Sequence, residues 1–116
     1  EAEDLVLTGS DILIYRMLYN LIENAINYGI NGGCVWVNLI KNQENTDIII
    51  KDNGIGIEKE HLDKIWNRFY RVDKSRSTGE GFGLGLSMVR FIVDIHGGRI
   101  AVKSKPGYGT TFTVSL

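Results

Sequence analysis

The sequence predicts an α/β sandwich, one sheet with helices packed on one of its faces, and two observations carry that prediction. Apolar residues recur at helical spacing around residues 14–25 and 84–95, while short strand-like runs punctuate the rest of the chain. Glycine separates these stretches: there are fourteen Gly against one Pro, and no repeat or linker splits the 116 residues. Counted in order, the elements give about five strands in a mixed, mostly antiparallel sheet and about three helices. They form one domain over residues 1–116.

Residues 3–7 suit a short edge strand. Ser10 is then placed as a helix N-cap, with Asp11 in the first turn favourable to the helix dipole. Ile14, Met17, Leu18, Leu21, Ile22 and Ala25 give the helix an apolar face, and Gly29 is its stop. CVWVNLIK (34–41) and TDIIIKD (46–52) read as strands, their near-continuous apolar content suggesting at least one face packed under helices. Residues 58–65 can form a short helix. A longer one, roughly 84–95, should end at His96-Gly97-Gly98. The strands 99–104 and 110–116 flank the turn Lys105-Pro106-Gly107-Tyr108-Gly109.

Composition narrows the function classes. A net charge of −1 and a pI near 6.1 make no electrostatic case for nucleic acid or an anionic membrane. The single Cys34 rules out an internal disulfide framework and fits a reducing cytosol. No apolar run reaches about 18 residues, so no spanning segment is expected. The start at Glu1, without a methionine, suggests a piece of a longer protein.

Three asparagines stand out in the first helix. Asn20, Asn24 and Asn27 are poor helix formers, yet they fall on one stripe within an arc of about 60°. Three carboxamides and no carboxylate on one stripe suit a ligand. Glycines at 79, 81, 83 and 85 suggest backbone amides approaching an anion before a helix N-terminus, although alone they suit a flexible linker better. Neither a dinucleotide G-x-G-x-x-G nor a P-loop is present. Asp52 to Ile57 (DNGIGI) follows a strand: the aspartate could accept from an exocyclic amine, the glycines leaving room for a flat ring, or the stretch is an ordinary turn. Arg68, Arg71 and Lys74 could clamp a phosphate or form a solvated basic surface.

Taken in order, these pieces resemble the catalytic ATP-binding domain of sensor histidine kinases, within the wider group that includes type II topoisomerases, the 90 kDa heat-shock chaperones and mismatch-repair ATPases. NLIENAINY resembles the asparagine box, DNGIGI the first glycine box, WNRFYRVDKS the phenylalanine box and GEGFGLGL the second glycine box. The tail HGGRIAVKSKPGYGTTFTVSL resembles the closing strands, so the likeness runs from about Asp11 to Leu116.

The resemblance implies a flexible ATP lid and a set of roles. Asn24 would ligate Mg²⁺, with Asn20 beside the same metal and phosphate site. Asn27 stands where the family often has Lys or Arg touching phosphate, and Tyr28 would lie against the nucleotide. Asp52 would bind the adenine amino group, with Gly54, Gly56 and Thr110 shaping that pocket. Gly81, Gly83, Gly85 and Leu86 would bring the lid's hinge onto the phosphates; Phe82 replaces a small polar residue there. Arg68, Arg71 and Lys74 would neutralise charge around an in-line transfer of the γ-phosphoryl group. His61 and His96 read as structural, His96 at a helix C-terminus.

The implied cofactors are ATP and Mg²⁺. The implied partners are a histidine-bearing helical dimerisation domain of the parent protein and a downstream response regulator, with no nucleic acid and no direct membrane contact. The domain itself is expected to be monomeric and cytoplasmic. The hydrolases of the wider group carry Glu where this chain has Asn20, which cannot take a proton from water. A regulatory module that binds ATP without catalysis, and an anti-sigma serine kinase of the same fold, are the remaining alternatives.

Overall fold

The computed structural model describes residues 11–67 and 85–116. Within them the order is α1 (Asp11–Asn27), β1 (Val35–Lys41), β2 (Thr46–Asp52), a 3₁₀ turn (Lys59–His61), α2 (Gly85–Ile95), β3 (Arg99–Lys105) and β4 (Gly109–Ser115). The four strands form one sheet in the order β1-β2-β4-β3, and every neighbouring pair is antiparallel. The described residues therefore hold four strands and two α-helices rather than five and three, in an antiparallel rather than a mixed sheet. The strand expected at residues 3–7 and the Ser10 cap lie outside the described residues.

The helix expected over 58–65 shortens for a packing reason. After the 3₁₀ turn only one helical bond closes, from Ile65 N–H to the His61 carbonyl at 3.1 Å. Ile57 and Ile65 are both buried in the core, and Trp66 stands edge-on to Phe112 with ring centroids 6.0 Å apart. A segment pinned to the core at both ends gains more from those contacts than from another helical turn.

Cross-strand register lays the helix-facing side of the sheet out in rows. Leu39, Ile48, Val114 and Ile100 pair across one row, and Val37, Ile50, Phe112 and Val102 across the next. In the third row, Val35, Asp52, Thr110 and Ser104, the side chains of the two central strands and of β3 turn polar. Period-2 alternation sets this phase: positions 46, 48, 50 and 52 of β2 are all buried. Ile14, Met17, Leu21 and Ala25 of α1 and Val89, Ile92 and Val93 of α2 close the core over the apolar rows. β1 corrects the expectation of a covered face, since all seven of its residues are exposed. Among the described strands it lies at one edge of the sheet, and α1 packs mainly over β2 while α2 packs against β3.

α2 ends at the expected place: Gly98 N–H closes on the Val93 carbonyl at 3.0 Å, and His96 Nδ1 lies 2.7 Å from the Ile92 carbonyl. His61 sits beside the exposed Glu60 at 3.8 Å. No helix among the described residues is long and apolar enough to cross a membrane.

Candidate functional site

α1 carries three stripes. One is the core face just described. A second, the exposed side chains Ile12, Tyr15, Tyr19 and Ile26, faces outward. Between core and solvent runs the third, Asn20 and Asn24 half-buried and Asn27 exposed. From Asn20 to Tyr28, just past the helix end, the stripe spans about 12 Å at 1.5 Å per residue.

At its N-terminal end the stripe meets α2. Asn20 Nδ2 donates to the carbonyl of Gly85, the first residue of α2, at 3.5 Å, which turns its Oδ1 away from that carbonyl. A Cβ at Gly85 would meet nothing within 4 Å, so the described fold does not itself require glycine there. Leu86 turns inward to pack against the core.

At the other end the stripe meets the loop after β2. The Tyr28 carbonyl accepts from Ile55 N–H at 3.1 Å, and a Cβ on Gly54 would overlap that carbonyl oxygen. Gly56 has φ +78°, and a Cβ there would strike the Lys105 carbonyl. Further bonds tie the loop to other segments: Gly107 N–H donates to the Ile55 carbonyl at 2.9 Å, and Cys34 N–H to Asn53 Oδ1 at 2.8 Å. The loop is thereby held by α1, by the start of β1 and by the β3–β4 turn at once.

Asp52 sits behind this loop, 4% exposed, in the polar row. Its Oδ1 accepts from Gly54 N–H at 2.8 Å. Burial pushes the carboxyl above the ordinary carboxylate range, and hydrogen bonds from the backbone N–H groups of Gly54 and Thr110 pull it partly back. Thr110 is buried beside it, its hydroxyl 2.8 Å from Ser104 Oγ.

The structure thus brings Asn20, Asn24, Asn27, Tyr28, Asp52, Gly54, Gly56, Gly85, Leu86 and Thr110 along one continuous border, between the end of the sheet and the two helices. Arg68, Arg71, Lys74, Gly81, Phe82 and Gly83 lie outside the described residues. Among the described residues no group of three His, Cys, Asp or Glu side chains is placed to hold a metal ion. Two residues escaped the sequence reading. Asn53 gave no signal apart from its turn-forming character. Ser104 did: in RIAVKSK it is the polar residue at the inward phase set by Ile100 and Val102.

Known proteins share this fold. The mycobacterial sensor histidine kinase MprB superposes with a TM-score of 0.82 at 29% identity, covering 95% of this chain and 75% of that one. The catalytic domain of histidine kinase ThkA, in a nucleotide-free form, gives 0.76 at 27% identity, over 90% and 66% of the respective chains. The sensor-like histidine kinase SenX3 of Mycolicibacterium smegmatis is 41% identical over 93% of this chain and 28% of its own length. Sensor protein SrrB of Staphylococcus aureus is 43% identical over 87% of this chain and 18% of its own. The chain thus spans less than a third of either of these curated relatives. Over residues 9–116, from just before the asparagine helix to the end of the last strand, it matches the model of one family, so the chain belongs to the histidine kinase-, DNA gyrase B- and HSP90-like ATPases.

Proposed function

We propose that this chain is the catalytic domain of a sensor histidine kinase. It binds Mg-ATP and passes the γ-phosphoryl group to a histidine on a separate helical dimerisation domain, for relay to a response regulator. The observation that carries this reading is the single border joining a buried acceptor, Asp52, to a carboxamide stripe that ends against the first residue of α2.

At the base end, Asp52 accepts a hydrogen bond from the adenine amine, and the N–H groups of Gly54 and Thr110 hold the carboxylate in place for it. Gly54 and Gly56 keep the loop backbone clear of the ring. Along α1, the oxygens of Asn24 and Asn20 are hard, neutral ligands that suit a Mg²⁺ retaining most of its waters. Neutral carboxamides also avoid repelling the triphosphate. When bound, Mg²⁺ supplies charge neutralisation across the phosphates. The N-terminus of α2 places a positive dipole end at the same point. Arg68, Arg71 and Lys74 hold the clamp role by resemblance alone.

Transfer rather than hydrolysis follows from Asn20. Its side chain has no titratable group to take a proton from water, and its Nδ2 is engaged with Gly85. Radiolabelled ATP tests the whole reading. The chain alone should bind ATP, release phosphate very slowly and leave His61 and His96 unlabelled. Adding a helical dimerisation domain with its acceptor histidine, as a separate chain, should produce acid-labile phosphohistidine. Multiple-turnover hydrolysis by the chain alone, or acid-stable labelling of a partner serine, would overturn it. The regulatory alternative predicts binding without any transfer.

A further inference from the structure

The polar row at the end of the sheet contains one group with no role in the reading above. Ser104 Oγ lies 2.7 Å from Ile57 N, 2.9 Å from the Gly109 carbonyl oxygen and 2.8 Å from Thr110 Oγ1. A serine hydroxyl has one proton and two lone pairs, so only one assignment makes all three contacts hydrogen bonds. Ile57 N–H donates to Ser104, Thr110 O–H donates to Ser104, and Ser104 donates to the Gly109 carbonyl. The alternative, Ser104 donating to Thr110, leaves two oxygens 2.9 Å apart with no proton between them.

These three partners flank Asp52 on both sides. Ile57 closes the loop whose Gly54 N–H holds the carboxylate, and Thr110 supplies the second N–H from across the sheet. The Ser104 side chain is bonded both to the loop after β2 and to the start of β4. The same assignment commits the Thr110 hydroxyl proton, so Thr110 presents only lone pairs elsewhere. We propose that Ser104 is a positioning residue for base recognition, fixing the loop against β4 so that Asp52 and Thr110 offer an amine-selective, acceptor-only wall. The proposal rests on the adenine reading of Asp52 and adds to it the residue that sets its selectivity.

The test compares ATP with inosine triphosphate, which carries a carbonyl in place of the adenine amine, by calorimetry on the 116-residue chain. The unmodified chain should prefer ATP, and Asp52→Asn should abolish that preference. Ser104→Ala should cut the preference about tenfold by weakening ATP alone, and Ser104→Thr, which keeps the hydroxyl, should restore it to within about twofold. Amide exchange at Ile57 should quicken in Ser104→Ala and recover in Ser104→Thr. If Ser104→Ala does not fold, Ser104→Cys, with a weaker donor, should show an intermediate preference. An undiminished preference in Ser104→Ala or Ser104→Cys would overturn the proposal, as would parallel losses for both nucleotides. In those cases the adenine reading stands, provided Asp52→Asn loses the preference. Equal affinities in the unmodified chain would instead remove the adenine reading itself, and Ser104 with it.

Discussion

The two ends of the site are made of different material. At the base end the walls are mostly backbone: the Ile55 amide bonds the Tyr28 carbonyl, the Gly107 amide bonds the Ile55 carbonyl, the Ser104 hydroxyl ties the Ile57 amide to the Gly109 carbonyl, and a glycine sits wherever the chains come too close for a Cβ. Along α1 the described wall is side chains, two half-buried and one exposed, with one long bond to α2. Backbone walls with satisfied hydrogen bonds are set before a ligand arrives and cost little to order on binding. Carboxamides on a half-open stripe can be swapped without disturbing the fold. The base end should therefore tie affinity to stability, and the asparagine stripe should tie affinity to catalysis.

Asn24→Ala offers the largest effect and the cleanest break. With the proposed metal ligand gone and the fold untouched, phosphoryl transfer to a helical partner should fall by about three orders of magnitude. ADP affinity should drop far less, since the base contact survives. A matching collapse of ADP binding, measured by calorimetry, would mean that the two ends are not separable.

Gly54→Ala is the converse. The added Cβ overlaps the Tyr28 carbonyl oxygen and presses on Asp52, and neither neighbour is the free end of a flexible chain. Urea unfolding should show about 2–3 kcal/mol of lost stability, together with loss of adenine binding. Unchanged stability would show that the loop has more room than its bonds imply.

Asp52 makes the link between stability and binding depend on pH. Its carboxyl is raised in the folded state because burial disfavours the charge. Below about pH 4 it is protonated in both folded and unfolded chains, and its contribution to stability is fully present. As pH rises through the raised folded value, the folded chain must ionise a buried group and that stability is lost. Adenine affinity should move oppositely, rising over the same interval as the acceptor ionises. Asp52→Asn should flatten both profiles, in urea titrations without nucleotide and in calorimetry with ADP.

The smallest effect sharpens the other end. Asn27→Lys restores the charge the family often carries there, at an exposed position that can accept it. ATP affinity should rise about threefold over ADP affinity, with no change in stability. A gain shared equally by both nucleotides would place residue 27 nearer the base than the phosphates.

Local pattern alone determined much of this molecule. The asparagine stripe was legible because three residues at helical spacing must share a side of any helix they form. The inward phase of β4 was legible because alternation has only two phases, and Phe112 and Val114 occupy one of them; the three consecutive isoleucines of β2 left its phase open. Asp52 and its glycines were legible as a motif. Tertiary structure decided the rest. Residues 58–65 have enough helical character to be read as a helix, but Ile57, Ile65 and Trp66 are claimed by the core, and packing outweighs propensity. β1 looks like a buried strand by composition, yet its place at the side of the sheet leaves it exposed, and position in a sheet is not written in a single strand. Ser104 shows the same limit at the scale of one hydroxyl. Its phase could be counted along β3, and Gly109 and Thr110 lie just across the β3–β4 turn, but Ile57 is 47 residues away, and only the tertiary fold brings its amide to the same oxygen.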